Sequence, residues 1–244
     1  MTKNILILGA STGIGKSFLL NSLEEKNNVV GISRTIKEKF QTENIQHKNL
    51  HVYNFEFKDL SSSSKFMNDL IKDHGPFDGI FVCVGIESIK ASKVLSDNDI
   101  NNVFIPPIVA ATAVIKNSFK DSFLKPNSNI VVMSSVSAVK STPAMMFYAA
   151  SKAALESMVR TAALELAQKK KNINCLRAGA FDSEMHQRVM NNLSEDQINV
   201  FEERFPLGFG KTKDILEAVK FYINNEKCRW ITGSSVNIDG GYLS

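Results

Sequence analysis

The sequence predicts an α/β fold, a doubly wound parallel sheet with helices on both faces, in a single domain over residues 1–244. Three observations point there. Short segments that are apolar throughout alternate with longer, one-sided segments from end to end. A glycine-rich turn joins the first of each kind. No Pro/Gly/Ser-rich linker and no internal repeat divides the chain. Strands apolar on both faces and separated by helices belong to a parallel sheet covered on both sides, because each crossover lays a helix on one face.

The elements follow in order. Asn4–Leu8 is a short apolar strand, and Ile14–Glu25 is an amphipathic helix beyond the glycine turn. Val29–Ser33 and His51–Phe57 read as the second and third strands. Ser61–His74 reads as a helix with Phe66, Leu70 and Ile71 on one side, and the run Ser61–Ser64 stands where its cap is needed. Ile80–Val84 is the fourth strand. Asn102–Phe119 is a helix apolar nearly all round, which calls for burial on more than one side. Ile130–Ser134, the long helix Tyr148–Gln168 and the strand Ile173–Arg177 come next. Asp214–Asn224 is a helix with Thr212 or Asp214 as its cap, and Ser235–Ile238 is the last strand. Residues 181–210 are the least regular stretch, with Ser194-x-x-Gln197 as a capping box.

Composition excludes several classes. With 43% hydrophobic and 22% charged residues, the chain can bury a full core and is neither disordered nor fibrous. Its apolar runs, such as Ile105–Ala111, fall far short of the roughly 18 residues a membrane span needs. Only four apolar residues stand between Asn4 and Gly9, too few for a secretory signal. The net charge is +4, but Lys and Arg are scattered and Lys169–Lys171 is the only basic triplet, so no nucleic-acid partner is expected. Cys83, Cys175 and Cys228 lack metal-ligand spacing and read as reduced thiols of a cytoplasmic protein without a metal.

The turn Gly9-Ala10-Ser11-Thr12-Gly13-Ile14-Gly15 lies between the first strand and the first helix. Glycines there permit a tight turn and close approach to a pyrophosphate, and the helix N-terminus offers free N–H groups and partial positive charge. The second strand ends in Ser33 followed by Arg34, where a carboxylate would bind the 2′-hydroxyl of NAD(H). A hydroxyl and a guanidinium can both bind a 2′-phosphate, which favours NADP(H) over NAD(H).

Tyr148 and Lys152 open the long helix four residues apart, on one face and one turn from each other. A free phenol titrates near pH 10, too high for proton exchange near neutrality, and an adjacent ammonium is expected to lower that value. Ser134-Ser135 lies at the end of the fifth strand, on the edge where side chains converge on ligands, and a serine hydroxyl there can bond the oxygen that Tyr148 protonates.

Together these features resemble the short-chain dehydrogenase/reductase family in its compact single-domain, Rossmann-like form. The resemblance rests on Gly9-x-x-x-Gly13-x-Gly15, on Ser135, Tyr148 and Lys152, and on the tail Ile231–Tyr242, and it covers essentially the whole chain. It implies Tyr148 as proton donor, Lys152 as holder of the nicotinamide ribose and Ser135 as orienter of the carbonyl. It assigns a relay asparagine to Asn102, with Asn101 as the alternative. Glu56, or less well Asp59, matches the acid at the adenine, and Gly85, Gly179, Phe181 and Ser183 match further cofactor contacts. Three places depart from the family: Val82-Cys83-Val84-Gly85 stands for Asn-Asn-Ala-Gly, Ala178-Gly179 for Pro-Gly, and Leu8 for a threonine.

The expected function is NADPH-dependent reduction of a ketone or aldehyde, reversible as alcohol oxidation, with 3-oxoacyl substrates as one class. A non-catalytic dinucleotide sensor and a nucleotide-sugar epimerase or dehydratase are the rivals; the first has no chemical use for the Ser–Tyr–Lys set, and the second normally carries a larger C-terminal domain. The stretch 181–210, with Met185, His186, Met190, Phe201 and Phe205, is expected to form a substrate lid. Relatives assemble as homotetramers or homodimers through the helices around 102–119 and 148–168 and the C-terminal strand region, and this chain is expected to do the same.

Overall fold

The computed structural model describes residues 2–184, 187, 190–191, 194–224 and 228–244. Seven parallel strands form one sheet: β1 (Asn4–Leu8), β2 (Asn28–Ser33), β3 (Leu50–Asn54), β4 (Phe77–Val82), β5 (Leu124–Ser135), β6 (Asn172–Ala178) and β7 (Ser235–Ile238), in the order β3-β2-β1-β4-β5-β6-β7. The order reverses between β1 and β4, where the connections leave in opposite directions and open a crevice at the strand C-termini.

Alternate residues of each strand serve opposite faces. Leu6 and Leu8 of β1 join one core with α3 (Leu60–His74), α4 (Ile105–Ser118) and α5 (Met146–Ala167). Ile5 and Ile7 join the other, with α1 (Gly13–Glu24), α2 (Ile36–Thr42) and α7 (Thr212–Asn224). The continuous apolar character of the strands thus has a period-two cause: both sets of side chains are buried.

Several boundaries differ from the sequence reading. The helix α2 was not expected; it is short, and only Ile36 and Phe40, one turn apart, are buried. The strand β3 ends at Asn54, after which Phe55 N–H gives one bond to Ser33 and the chain turns towards α3. The serine run does not cap α3. Asp59 does, accepting from Ser62 N at 2.8 Å. The strand β5 begins at Leu124, because Leu124 pairs with Phe77 before a register shift. The capping box at Ser194 and Gln197 forms as expected and opens α6 (Glu195–Glu202). Before α4 the chain makes a turn at Asp97–Asp99 and then a π-helical stretch, Ile100–Phe104.

Candidate active site

The glycine turn is built by contact from below. Gly9 (φ +88°) and Ala10 both donate to the Ile32 carbonyl, at 2.8 and 3.2 Å, which ties the turn to β2. A Cβ on Gly9 would stand 2.8 Å from the Cys83 carbonyl carbon, and one on Gly15 would overlap the Gly9 oxygen and meet Cys83 Sγ at 2.7 Å. Gly13 (φ +52°) is different, since a Cβ there would meet nothing within 4 Å. Two glycines therefore let α1 sit on the ends of β1 and β4, and the third leaves the approach to the helix bare. Thr12 stands at the N-cap without a side-chain cap bond, and the first turn carries no acidic residue. That leaves N–H groups and the positive end of α1 for an anion, so these residues fit a dinucleotide pyrophosphate. Ser11 and Thr12 are half-buried and Ile14 is buried.

At the end of β2, the Ser33 hydroxyl accepts from Thr35 N at 3.4 Å and Arg34 is exposed. Of the two acids weighed after β3, Asp59 is committed to α3, whereas Glu56 makes a surface pair with Lys58 at 2.8 Å. The sequence Val82-Cys83-Val84-Gly85 keeps the loop closed without asparagines: Cys83 N donates to Leu8 O at 2.9 Å, and its thiol donates to the same oxygen at 3.0 Å. A Cβ on Gly85 would lie 3.3 Å from Lys152 Nζ, so that glycine admits the lysine. Across the crevice, Gly179 N donates to Ile238 O at 3.0 Å, Phe181 forms a backbone bridge with Gly210, and Ser183 N donates to Phe181 O at 2.6 Å.

The sheet and α5 bring Ser135, Tyr148 and Lys152 together. The Ser135 hydroxyl accepts from Ser137 N at 3.2 Å and lies near enough to the Tyr148 phenol to favour its ionised form. Lys152 Nζ lies 5.5 Å from the centre of the Tyr148 ring. The ammonium donates to the Met133 carbonyl at 3.0 Å. Burial pushes the Tyr148 phenol up to about 12; the Glu87 carboxylate adds to this and the nearby Ser135 hydroxyl opposes it. Burial brings Lys152 down to about 8. The expectation that Lys152 lowers the phenol is therefore corrected for this structure: burial and Glu87 prevail, and the phenol is held protonated, ready to give a proton.

The structure does not bring Asn102 to these groups. Its Nδ2 donates to the Asn98 carbonyl and side-chain oxygens, each at 2.8 Å, and Asn101 is exposed. In the widened π turn it is Val103 that faces inward, only 3% exposed. In the expected lid, Met185 and His186 lie outside the described residues. Phe201, Phe205 and Phe209 cluster with one another, and Phe205 stacks on Tyr242 at 4.6 Å, so Phe205 is core to this segment and not a free cover. Sequence reasoning missed Glu87 and the Met133 carbonyl. Glu87 stands two residues beyond Gly85, and that position was the available signal; a main-chain oxygen gives none.

Residues 9–243 match the short-chain dehydrogenase family model described as enoyl-(acyl carrier protein) reductase. The chain belongs to the short-chain dehydrogenase/reductase family. It is 30% identical over 245 residues to the 3-oxoacyl-[acyl-carrier-protein] reductase FabG of Rickettsia prowazekii, covering 99% of this chain and 97% of that one. Among solved structures, a short-chain dehydrogenase family protein of Francisella tularensis superposes with a TM-score of 0.86 at 26% identity, covering 100% and 99% of the two chains. ElxO with NADP bound superposes with a TM-score of 0.83 at 28% identity, with the same coverage. This short-chain dehydrogenase/reductase is thus an oxidoreductase, and no helix among its described residues is long and apolar enough to cross a membrane.

Proposed function

We propose that the protein is an NADPH-dependent carbonyl reductase, reversible as an alcohol dehydrogenase, in which Tyr148 is the general acid/base. The observation that carries this reading is the grouping of Ser135, Tyr148 and Lys152 at the strand C-termini, with the Ser135 hydroxyl near enough to favour the phenolate and Lys152 Nζ 5.5 Å from the ring centre. Bound nicotinamide would supply or take the hydride. Ser135 and Tyr148 bond the substrate oxygen from one side, and Tyr148 passes its proton to that oxygen as negative charge grows there. Lys152, cationic below about pH 8, would stabilise the phenolate that results and hold the nicotinamide ribose. The turn from Gly9 to Gly15 would hold the pyrophosphate, Glu56 the adenine side, and Ser33 and Arg34 the 2′-phosphate. Gly85, Gly179, Phe181 and Ser183 would border the nicotinamide half. The NADP bound to ElxO supports the phosphate preference.

For the substrate we infer a 3-oxoacyl thioester, the class named for the FabG relative. The segments after β4, β5 and β6 expose Ile89, Val94, Val139, Val200 (in α6) and Leu207, which suits a partly apolar chain. Residues 181–210 would close over it. We further infer a homotetramer or homodimer. A groove of about 340 Å³ between α4 and α5, lined by residues such as Ile115, Met158 and Ala162, lies on the helices the family uses to associate.

The test uses purified protein with NADPH and a panel of ketones, aldehydes and 3-oxoacyl thioesters. Wild type should oxidise NADPH with at least one of them. Tyr148→Phe should keep NADPH affinity and lose about 10²–10⁴-fold in kcat. A Tyr148→Phe enzyme with undiminished turnover would sink the assignment.

A further inference from the structure

The helix that carries Tyr148 and Lys152 places Glu156 one turn further along the same face. Glu156 is 3% exposed. Its Oε1 accepts from Ser134 Oγ at 2.7 Å and from Arg177 Nε at 2.9 Å, and its Oε2 accepts from Arg177 Nη2 at 2.5 Å. Arg177 Nη1 in turn reaches Asn237 Oδ1 at 2.7 Å. One carboxylate on α5 thus ties the ends of β5 and β6, and Arg177 carries the link on to β7.

Stability alone does not account for it. A buried ion pair is often no better than apolar residues of the same volume, because desolvation offsets the attraction. What this pair adds is geometry, since a bidentate guanidinium–carboxylate contact fixes direction as well as distance. Each strand is held at a residue beside the proposed chemistry. Ser134 precedes Ser135, and its hydroxyl also lies 3.5 Å from the Lys152 carbonyl. Arg177 stands two residues before Gly179, and Asn237 precedes Ile238, whose carbonyl takes Gly179 N. Tyr148 comes from the helix and Ser135 from the strand, so the two hydroxyls stay near each other only while helix and strand keep their relative height and rotation. A misplacement of about 1 Å at reacting groups can cost about 10²-fold in rate.

We propose that Glu156 is a positioning residue, which sets α5 against the ends of β5, β6 and β7 and so holds Tyr148 and Lys152 in place against Ser135. The proposal rests on the reductase reading above for its kinetic readout. Glu156→Gln keeps the shape but not the charge. Ser134→Ala is the milder variant, which leaves the ion pair intact and cuts only the link to β5. Both should lower kcat ten- to hundredfold, with the carbonyl KM and the NADPH Kd (read from the dinucleotide's own fluorescence) within threefold of wild type. Glu156→Asp should recover part of the rate. Independently of turnover, amide exchange in Glu156→Gln should quicken at least tenfold at 134–138 and 146–153 while β1 and α1 stay unchanged. Wild-type kcat in both variants would overturn the proposal, as would NADPH affinity falling in step with kcat, or exchange rising evenly across the sheet. If wild type itself reduces nothing, the reductase reading fails and the exchange experiment alone decides the positioning role.

Discussion

Lys152 Nζ stands 5.5 Å from the centre of the Tyr148 ring, yet its hydrogen bond goes to the Met133 carbonyl at 3.0 Å and not to the phenol. The lysine is thereby anchored to β5, one residue before the Ser134–Ser135 pair, and its charge is fixed at the floor of the crevice. With the phenol pushed up to about 12 and the ammonium down to about 8, the site at neutral pH holds a protonated acid beside a cation.

That arrangement has a stability signature. The folded-state value of Lys152 lies below its unfolded value near 10.5, so below about pH 8 folding carries the whole cost of a buried charge. Between pH 8 and 10.5 the unfolded chain binds the proton and the native one does not, so this group's contribution becomes more favourable as pH rises. The thiols of Cys83 and Cys175 and the Tyr148 phenol, all raised, pull the other way above about pH 9. The lysine's share is therefore read as a difference. Lys152→Met should be more stable than wild type at pH 7, by on the order of a few kcal/mol, and the gap should close towards pH 10.5 in urea titrations. A gap independent of pH would show that Lys152 is not held in a charge-averse position.

The two kinds of glycine should separate experimentally. Gly15→Ala drives a Cβ into the Gly9 oxygen and Cys83 Sγ, both fixed by strand ends, and should destabilise by about 3 kcal/mol or more. Gly13→Ala meets open space and should cost about 1–2 kcal/mol, for its left-handed backbone alone. It should nonetheless weaken NADPH binding at least tenfold, because the new methyl occupies the approach to the helix end. Thermal melts and fluorescence titration of both variants check this; equal melting temperatures would refute the division.

Asn102→Ala should keep kcat within threefold of wild type, since the side chain it removes serves Asn98. Steady-state kinetics suffice, and a loss beyond tenfold would put Asn102 back in the proton path.

Arg34→Ala should lower kcat/KM with NADPH at least tenfold, about 1.4 kcal/mol, and leave NADH within twofold. A parallel loss with both cofactors would mean that the guanidinium contacts something other than the 2′-phosphate.

Most of the fold was legible because burial on both faces prints itself on the strands: Ile5 to Leu8 are apolar without interruption for that reason. The short helix at Ile36 escaped because two buried positions leave no periodicity to read. The triad of Ser135, Tyr148 and Lys152 was legible through spacing, but its electrostatics were not. The sense of the Tyr148 shift depends on depth and on Glu87, which is distant in sequence, and a main-chain carbonyl such as that of Met133 carries no side-chain signal. Asn102 was placed by the family resemblance, whereas in the structure it lies in the π-helical stretch Ile100–Phe104 with its side chain bonded to Asn98, a local geometry that no composition announces.

The cysteines described above have a practical corollary. Cys83 and Cys175 are each pushed up to about 12 by burial and Cys228 is raised as well, so none offers a thiolate near neutral pH. A maleimide dye added to the native enzyme should find no fast acceptor. A single cysteine introduced at Leu207, whose side chain is 85% exposed just beyond the aromatic cluster, would then be labelled cleanly. Its fluorescence would report directly on whether that segment closes when nucleotide and carbonyl arrive together.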